Sequence, residues 1–118
     1  MEYQIQTTDQ FNKDVKFYKR KKKYFHIVDD IDDIIEELKK GNFLGDDVPD
    51  LRLPVDEAVY KVRAINTDTN VGKSDGYRLI YYVIKNEYEV YLLTIYYKKV
   101  KENIDTKKIV ELIKNIYV

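Results

Sequence analysis

Three consecutive segments near the middle of the chain are typical of β-strands, and side chains in the first of them alternate with the period of two of a half-buried strand. They are Ala58–Ile65, Tyr77–Ile84 and Glu89–Tyr97. Residues 85–88 are short enough for a hairpin turn, and residues 66–76 suit a longer polar hairpin loop. We therefore predict a three-stranded antiparallel meander, against which the other elements must pack.

The segments on either side of the meander predict one further strand and three helices. Tyr3–Thr7 alternates like a strand, and Thr8 or Asp9 can cap a first helix. A second helix stops at Gly41, Asn42–Asp56 is expected to be a loop, and a third helix covers Thr106–Tyr117. The apolar stripes of the helices are Phe11, Val15 and Tyr18, then Ile27, Ile31, Ile34, Ile35 and Leu38, then Ile109, Leu112, Ile113 and Ile116.

Strands grouped together, with helices to one side, favour an α+β fold over a wound parallel sheet. The length of 118 residues suits a single domain over residues 1–118. The expected fold is a small antiparallel sheet with an N-terminal strand, two helices, the meander and a C-terminal helix. No signal-peptide pattern is present, and no apolar run approaches the roughly 18 residues that span a bilayer. We therefore expect a cytoplasmic protein with no membrane partner.

Composition argues against several kinds of chemistry. The chain has no cysteine, so it offers no disulfide and no thiol nucleophile. Its one histidine, His26, stands alone, which argues against a metal site and against a catalytic dyad. Gly72-Lys73-Ser74 is not a nucleotide-binding loop, because that motif needs a glycine at the position of Thr67 and a helix afterwards. We expect no cofactor and no metal.

The net charge of zero hides a strong segregation of charge. Residues 1–28 carry 7 basic and 3 acidic side chains, residues 29–57 carry 3 and 11, and residues 58–101 carry 8 and 4. The string Lys19-Arg20-Lys21-Lys22-Lys23 is wholly basic. Because fields in salt solution act over about 10 Å, such local charge matters more to a polyanionic partner than the total does.

Cations and aromatic rings are predicted to gather on one face of the meander. Lys61 and Arg63 lie opposite the apolar side of their strand, Arg78 begins the second strand, and Lys98 follows the third. The candidate members of this face are Lys61, Arg63, Lys73, Arg78, Tyr96 and Lys98. Half-exposed sheets commonly carry lysine and tyrosine, so the pattern alone also fits an ordinary soluble surface.

Such a face suits the binding and metal-free cleavage of RNA. Cations hold phosphates, and tyrosine rings stack on unpaired bases. Attack by the adjacent 2′-hydroxyl needs a base, an acid for the leaving oxygen, and fixed cations for the added negative charge. A lysine beside other cations can serve as the base if they depress its pKa.

Two adjoining segments resemble HigB-like toxins of the RelE superfamily. They are Gly72–Tyr82, GKSDGYRLIYY, and Val90–Ile104, VYLLTIYYKKVKENI. The likeness covers residues 58–104, and the predicted element order agrees over nearly the whole chain. It implies the toxin of a type II toxin–antitoxin pair, which cleaves messenger RNA in the ribosomal A site and is neutralised by a cognate antitoxin protein.

The resemblance also implies roles for individual residues. Lys61 and Arg63 match two basic residues that contribute to cleavage, Arg78 matches the arginine that stabilises the scissile phosphate, and Lys98 matches a further catalytic cation. Lys73 matches the signature lysine, for which phosphate contact is expected, and Tyr96 matches a tyrosine expected to stack on a base. Many relatives place a catalytic tyrosine where this chain has Ile104, so the general base stays open.

Two other functions stay open on the sequence. A ParE-like toxin shares the fold and inhibits DNA gyrase without catalysis, but such toxins lack most of the cation set. An inactive RelE-like binding module is the other alternative. If cleavage is the function, Arg78→Ala, or Lys61→Ala with Arg63→Ala, is expected to remove toxicity and leave the fold intact, since exposed substitutions usually cost within about 0.5 kcal/mol.

Overall fold

A computed structural model describes residues 2–101 and 103–117. The strands and helices follow the chain in this order: β1 (Gln4–Thr7), α1 (Asp9–Arg20), α2 (Ile27–Lys39), β2 (Asp46–Asp47), β3 (Glu57–Ala64), β4 (Tyr77–Ile84), β5 (Glu89–Tyr97) and α3 (Thr106–Ile116). The strands form one sheet in the order β1-β5-β4-β3-β2. The predicted α+β class and the three-stranded meander are confirmed.

The sheet is mixed, so the expectation of an antiparallel sheet is wrong. β1 pairs with β5 in parallel, whereas the other three strand pairs are antiparallel. The chain between β1 and β5 includes α1, α2 and the strands β2 to β4, so it is long enough to allow a parallel pair. The predicted loop over residues 42–56 also contains β2, which pairs Asp46 and Asp47 with β3. Alternation of side chains reveals a strand but not its direction or partner.

Helices cover both faces of the sheet, which corrects the expectation that they lie to one side. Tyr77, Leu79, Tyr81 and Val83 of β4 pack on the face that holds α1 and α2. Ile80, Tyr82 and Ile84 pack on the opposite face, beneath Ile109, Leu112 and Ile113 of α3. β4 is buried along its whole length, because the centre of the sheet is enclosed from both sides.

Side chains of α1 cover the part of β5 that β1 does not reach. β1 pairs only with residues 89–92 of β5. Beyond them, the backbone N–H of Ile95 donates to the Asp14 carboxylate (3.1 Å), and the N–H of Tyr97 donates to the Tyr18 hydroxyl (2.8 Å). The edge of β5 is thereby protected from pairing with another chain.

Candidate functional site: a cationic cavity on the meander

The register of the meander places the cations predicted from alternation beside one another. Arg63 of β3 pairs with Arg78 of β4, which pairs in turn with Tyr96 of β5. Lys61 lies two residues before Arg63 and therefore projects from the same face. Lys98 follows β5 directly, and its backbone N–H donates to the Gly76 carbonyl at 3.0 Å. These contacts place Lys98 next to the start of β4.

Lys61, Arg63, Arg78 and Lys98 line one cavity of about 440 Å³ together with Asp46 and Asn103. Among the described residues, four cations thus line the cavity with one carboxylate, that of Asp46. Arg78 is only 6% exposed, Lys61 and Lys98 are half-buried, and Arg63 is exposed. The cavity therefore offers cations at several depths, with a strong positive potential suited to an anion such as a phosphate.

Main-chain carbonyls hold the guanidinium of Arg78. Its Nη1 donates to the carbonyls of Lys73 (3.0 Å) and Tyr77 (3.2 Å), and its Nη2 donates to that of Ser74 (2.8 Å). Burial lowers the pKa of Arg78, and the neighbouring charge of Arg63 lowers it further. An arginine nevertheless stays protonated in proteins, so Arg78 remains a fixed cation.

The burial of Arg78 corrects the expectation that its truncation leaves the fold unaffected. Arg78→Ala would remove three hydrogen bonds to carbonyls, two of them in the loop that precedes β4. The exposed Arg63 and half-buried Lys61 are better positions for testing function alone.

The two glycines of the GKSDGYR segment differ in their structural demands. A Cβ on Gly76 would overlap the Ala64 carbonyl oxygen and come within 3.0 Å of the Gly72 carbonyl oxygen. A Cβ on Gly72 would meet nothing within 4 Å. Close packing of the chain against β3 therefore requires Gly76 immediately before the strand that carries Arg78.

Lys73 and Tyr96 are placed differently from the four cations. The Lys73 side chain is exposed and lines a neighbouring cavity of about 610 Å³, which also contains Lys61 and Arg63. Tyr96 is 3% exposed and packs among the apolar residues beneath α3. The expectation that Tyr96 stacks on a base therefore needs correction, because its ring has no open face.

The Tyr96 hydroxyl is buried and has no hydrogen-bond partner among the described residues. Burial raises the pKa of Tyr96, although the nearby charge of Arg78 acts in the opposite direction. Tyr96 is thus a buried neighbour of Arg78 on the adjacent strand and belongs to the apolar cluster beneath α3.

Asp46 and Asn103 belong to the cavity but were not among the residues predicted from sequence. Asp46 pairs across the sheet with Lys61, and the Lys61 Nζ lies 3.5 Å from the Asn103 Oδ1. Asp46 lies in the segment predicted to be a loop, and no local pattern brings it to β3. Asn103 precedes Ile104, the position where the resemblance noted in the sequence implies a tyrosine, and this proximity was its only signal.

The basic string at residues 19–23 forms a second cationic surface. Lys19 is half-buried, residues 20–23 are exposed, and Phe17 and Phe25 beside them are 42% and 62% exposed. No ion pair within residues 2–101 and 103–117 involves the string. Because it continues from α1, the string lies on the α1 and α2 side of the sheet, away from α3.

His26 forms an ion pair with Asp68 of the hairpin loop (2.8 Å) and does not line the cationic cavity. In the described part of the chain, no group of three or more histidine or acidic side chains could hold a metal ion. Among the same residues, no helix is both long and apolar enough to cross a membrane.

Comparisons of the chain with protein-family models and with curated protein sequences find no match.

Proposed function

We propose that this chain is a HigB-like toxin of the RelE superfamily, with a RelE-like fold, and that it cleaves messenger RNA on the ribosome. The observation that carries the proposal is the convergence of Lys61, Arg63, Arg78 and Lys98 on one cavity. Two lines of reasoning support it: alternation and register bring the cations together, and the resemblance to HigB-like toxins over residues 58–104 implies cleavage roles for the same four residues. The antiparallel meander and the order of elements are consistent with this fold.

The chemistry expected in the cavity is transfer of the scissile phosphate to the adjacent 2′-hydroxyl. This reaction forms a 2′,3′-cyclic phosphate and releases a 5′-hydroxyl. Arg78, Arg63 and Lys98 all line the cavity. In the proposed reaction the two arginines would stabilise the negative charge that develops on the phosphate, and Lys98 would contact the leaving oxygen or a phosphate oxygen. Each role relies on a cation that the fold holds before substrate arrives.

The cavity contains two groups that can accept the proton of the 2′-hydroxyl. One is the Lys61 amine, as the sequence suggests, and the other is the Asp46 carboxylate on the neighbouring strand. Asp46→Asn and Lys61→Met distinguish them, because loss of the true base should lower the rate most at high pH, where the wild-type base is deprotonated, and should remove the rise of the rate with pH. The Asn103 amide can position the Lys61 amine or contact the substrate.

The outer edge of β3 offers a place where the proposed antitoxin could bind. β2 pairs with Tyr60 and Lys61, and Gly45 packs against the backbone of Lys61 and Val62, so the outer edge of β3 at Arg63 and Ala64 lacks a paired strand among the described residues. An extended segment of the partner can pair there, and acidic side chains on it would cover the cations nearby.

Co-expression with the adjacent small reading frame should restore growth and yield a complex that purifies through a tag on either chain. Rescue of growth without a complex would refute direct neutralisation.

One experiment distinguishes RNA cleavage from the alternative function, inhibition of DNA gyrase. The protein is expressed in bacteria, the 5′ ends of transcripts are mapped, and plasmid supercoiling is measured. We expect new 5′ ends inside codons for the wild type, and loss of both cleavage and toxicity for Lys61→Ala with Arg63→Ala. Lys107→Ala with Lys114→Ala removes the same charge from exposed positions of α3 and should stay toxic. Lost supercoiling with intact transcripts would favour the ParE-like function, and neither effect would favour a binding module.

A further inference from the structure

The hairpin loop between β3 and β4, residues 65–76, links helix α2 to the cationic cavity. At its β4 end, the carbonyls of Lys73 and Ser74 accept hydrogen bonds from Arg78 at 3.0 and 2.8 Å. The Ser74 carbonyl also accepts one from the Lys98 Nζ at 3.2 Å. A single loop carbonyl therefore contacts both cations and sets the distance between them.

The chemistry of these acceptors matters for the proposed reaction. A carboxylate in the same place would orient Arg78 but would neutralise its charge. A carbonyl oxygen is neutral overall, so it orients the guanidinium and leaves the full positive charge for a phosphate. The cost is that two like charges are held close together, and the loop must stay in place to hold them.

Two carboxylates tie the other end of the loop to α2. Asp30 of α2 accepts from the Thr67 backbone N–H (3.0 Å) and from the Thr67 hydroxyl (2.9 Å). In the reverse direction, Asp68 of the loop accepts from the backbone N–H of His26 (2.9 Å) and pairs with its ring Nδ1 (2.8 Å). The loop and the start of α2 thus hold each other through four polar contacts.

Hydrogen bonds within the loop connect the residues that contact α2 with the rest of the loop. Asn66 and Val71 exchange backbone hydrogen bonds, each 3.1 Å long, which close the loop into a compact turn. The Thr69 hydroxyl lies 3.0 Å from the Tyr97 hydroxyl, which ties the turn to the end of β5. The loop is therefore held by its contacts with α2, by the Asn66–Val71 pair and by the contact between Thr69 and Tyr97.

We infer that Asp30 and Asp68 are positioning residues for the proposed RNA cleavage, because they hold the loop whose carbonyls orient Arg78 and Lys98. This inference rests on the proposed function for its kinetic consequence, but the structural coupling can be measured without RNA. Within the described residues, neither carboxylate forms a hydrogen bond or ion pair with Arg78 or Lys98, so we expect its effect on their geometry to pass through the loop.

The kinetic test compares Asp30→Ala and Asp68→Ala with Asp33→Ala in ribosome-bound messenger RNA cleavage. Asp33 lies on the same helix and lines the same neighbouring cavity as Asp30, but it makes no hydrogen bond to the loop within the described residues. We expect kcat to fall about 10- to 100-fold in the two loop variants, with KM changed by less than about twofold, since small misplacements of catalytic groups cost that much. Asp33→Ala should retain the wild-type kcat, and Asp30→Asn should recover part of the loss by keeping one acceptor.

The structural test follows the side-chain NMR signals of the Arg78 guanidinium in the folded, RNA-free protein. We expect separate Nη signals in the wild type and in Asp33→Ala, and averaged or broadened signals when Asp30 and Asp68 are both replaced by alanine. Unchanged Arg78 signals in the folded double variant would overturn the inference, whether or not the wild type cleaves RNA. Altered Arg78 signals with an unchanged kcat would also overturn it. If the wild type cleaves no RNA, the proposed function fails and the NMR result decides the coupling by itself.

Discussion

Replacing Arg78 with lysine keeps the charge of the cationic cavity but removes the forked guanidinium that binds the loop. The wild-type side chain donates three hydrogen bonds to carbonyls and is 6% exposed. A lysine ammonium carries its three donors on one nitrogen and lacks the planar fork, so it cannot reach the Lys73 and Ser74 carbonyls in the same geometry. Water can solvate a carbonyl at the loop surface, and we therefore expect a net loss equivalent to one charge-assisted bond, about 1.5–3 kcal/mol.

For a domain of this size, 1 kcal/mol corresponds to roughly 3–6 °C in Tm. Arg78→Lys should thus lower Tm by roughly 5–18 °C, measured by thermal unfolding and checked by the urea midpoint. The matched control is Arg63→Lys, because Arg63 is exposed and makes no hydrogen bond or ion pair in the part of the chain that the structure describes. It should change stability by less than about 0.5 kcal/mol. Equal Tm values for the two variants would refute the carbonyl-held arrangement of Arg78.

Three further predictions concern other parts of the molecule. Asp14→Ala leaves the Ile95 N–H without its acceptor, so unfolding by urea should show a loss of about 1–3 kcal/mol; an unchanged midpoint would show that the edge of β5 needs no cover. Replacing residues 21–23 with alanine should weaken binding to ribosomes and reduce the salt dependence by up to about three charges, and an unchanged salt slope would exclude that surface as an RNA contact. The hydrogen bond to Asp68 raises the pKa of His26 above 6.5, so the folded state binds this proton more tightly than the unfolded state. The resulting stability is fully present below pH 6.5 and lost as pH rises through the folded pKa; His26→Gln should lack this change, and an identical pH profile would contradict it.

The division of cations from apolar side chains in β3 was predictable because a strand has a fixed period of two. Lys61 and Arg63 were assigned to the face opposite Val62, and Val62 indeed packs with α1 and α2. Pairing of Arg63 with Arg78 also follows from a simple hairpin, which places the residues nearest the loop opposite each other. Local periodicity thus suffices for the elements and for most of the site.

The depth of each side chain was not predictable, because it depends on which elements cross the sheet. Tyr96 is buried because α3 and Ile104, which precedes it, cover its face of the sheet. Arg78 is buried because the hairpin loop between β3 and β4 folds over it. The two residues of β2 have no strand-like pattern and pair only because β3 presents an edge. Asp46 therefore enters the cavity through tertiary structure alone.

RNA cleavage by this protein is measured most directly with purified protein, programmed ribosomes and an end-labelled messenger RNA. We expect cleavage at the codon in the A site, with upstream products that end in a 2′,3′-cyclic phosphate. We expect no cleavage by Lys61→Ala with Arg63→Ala, although that variant should unfold at the wild-type temperature. Intact messenger RNA with folded wild-type protein would refute the proposed cleavage, and products that end in a free 3′-hydroxyl would refute attack by the 2′-hydroxyl.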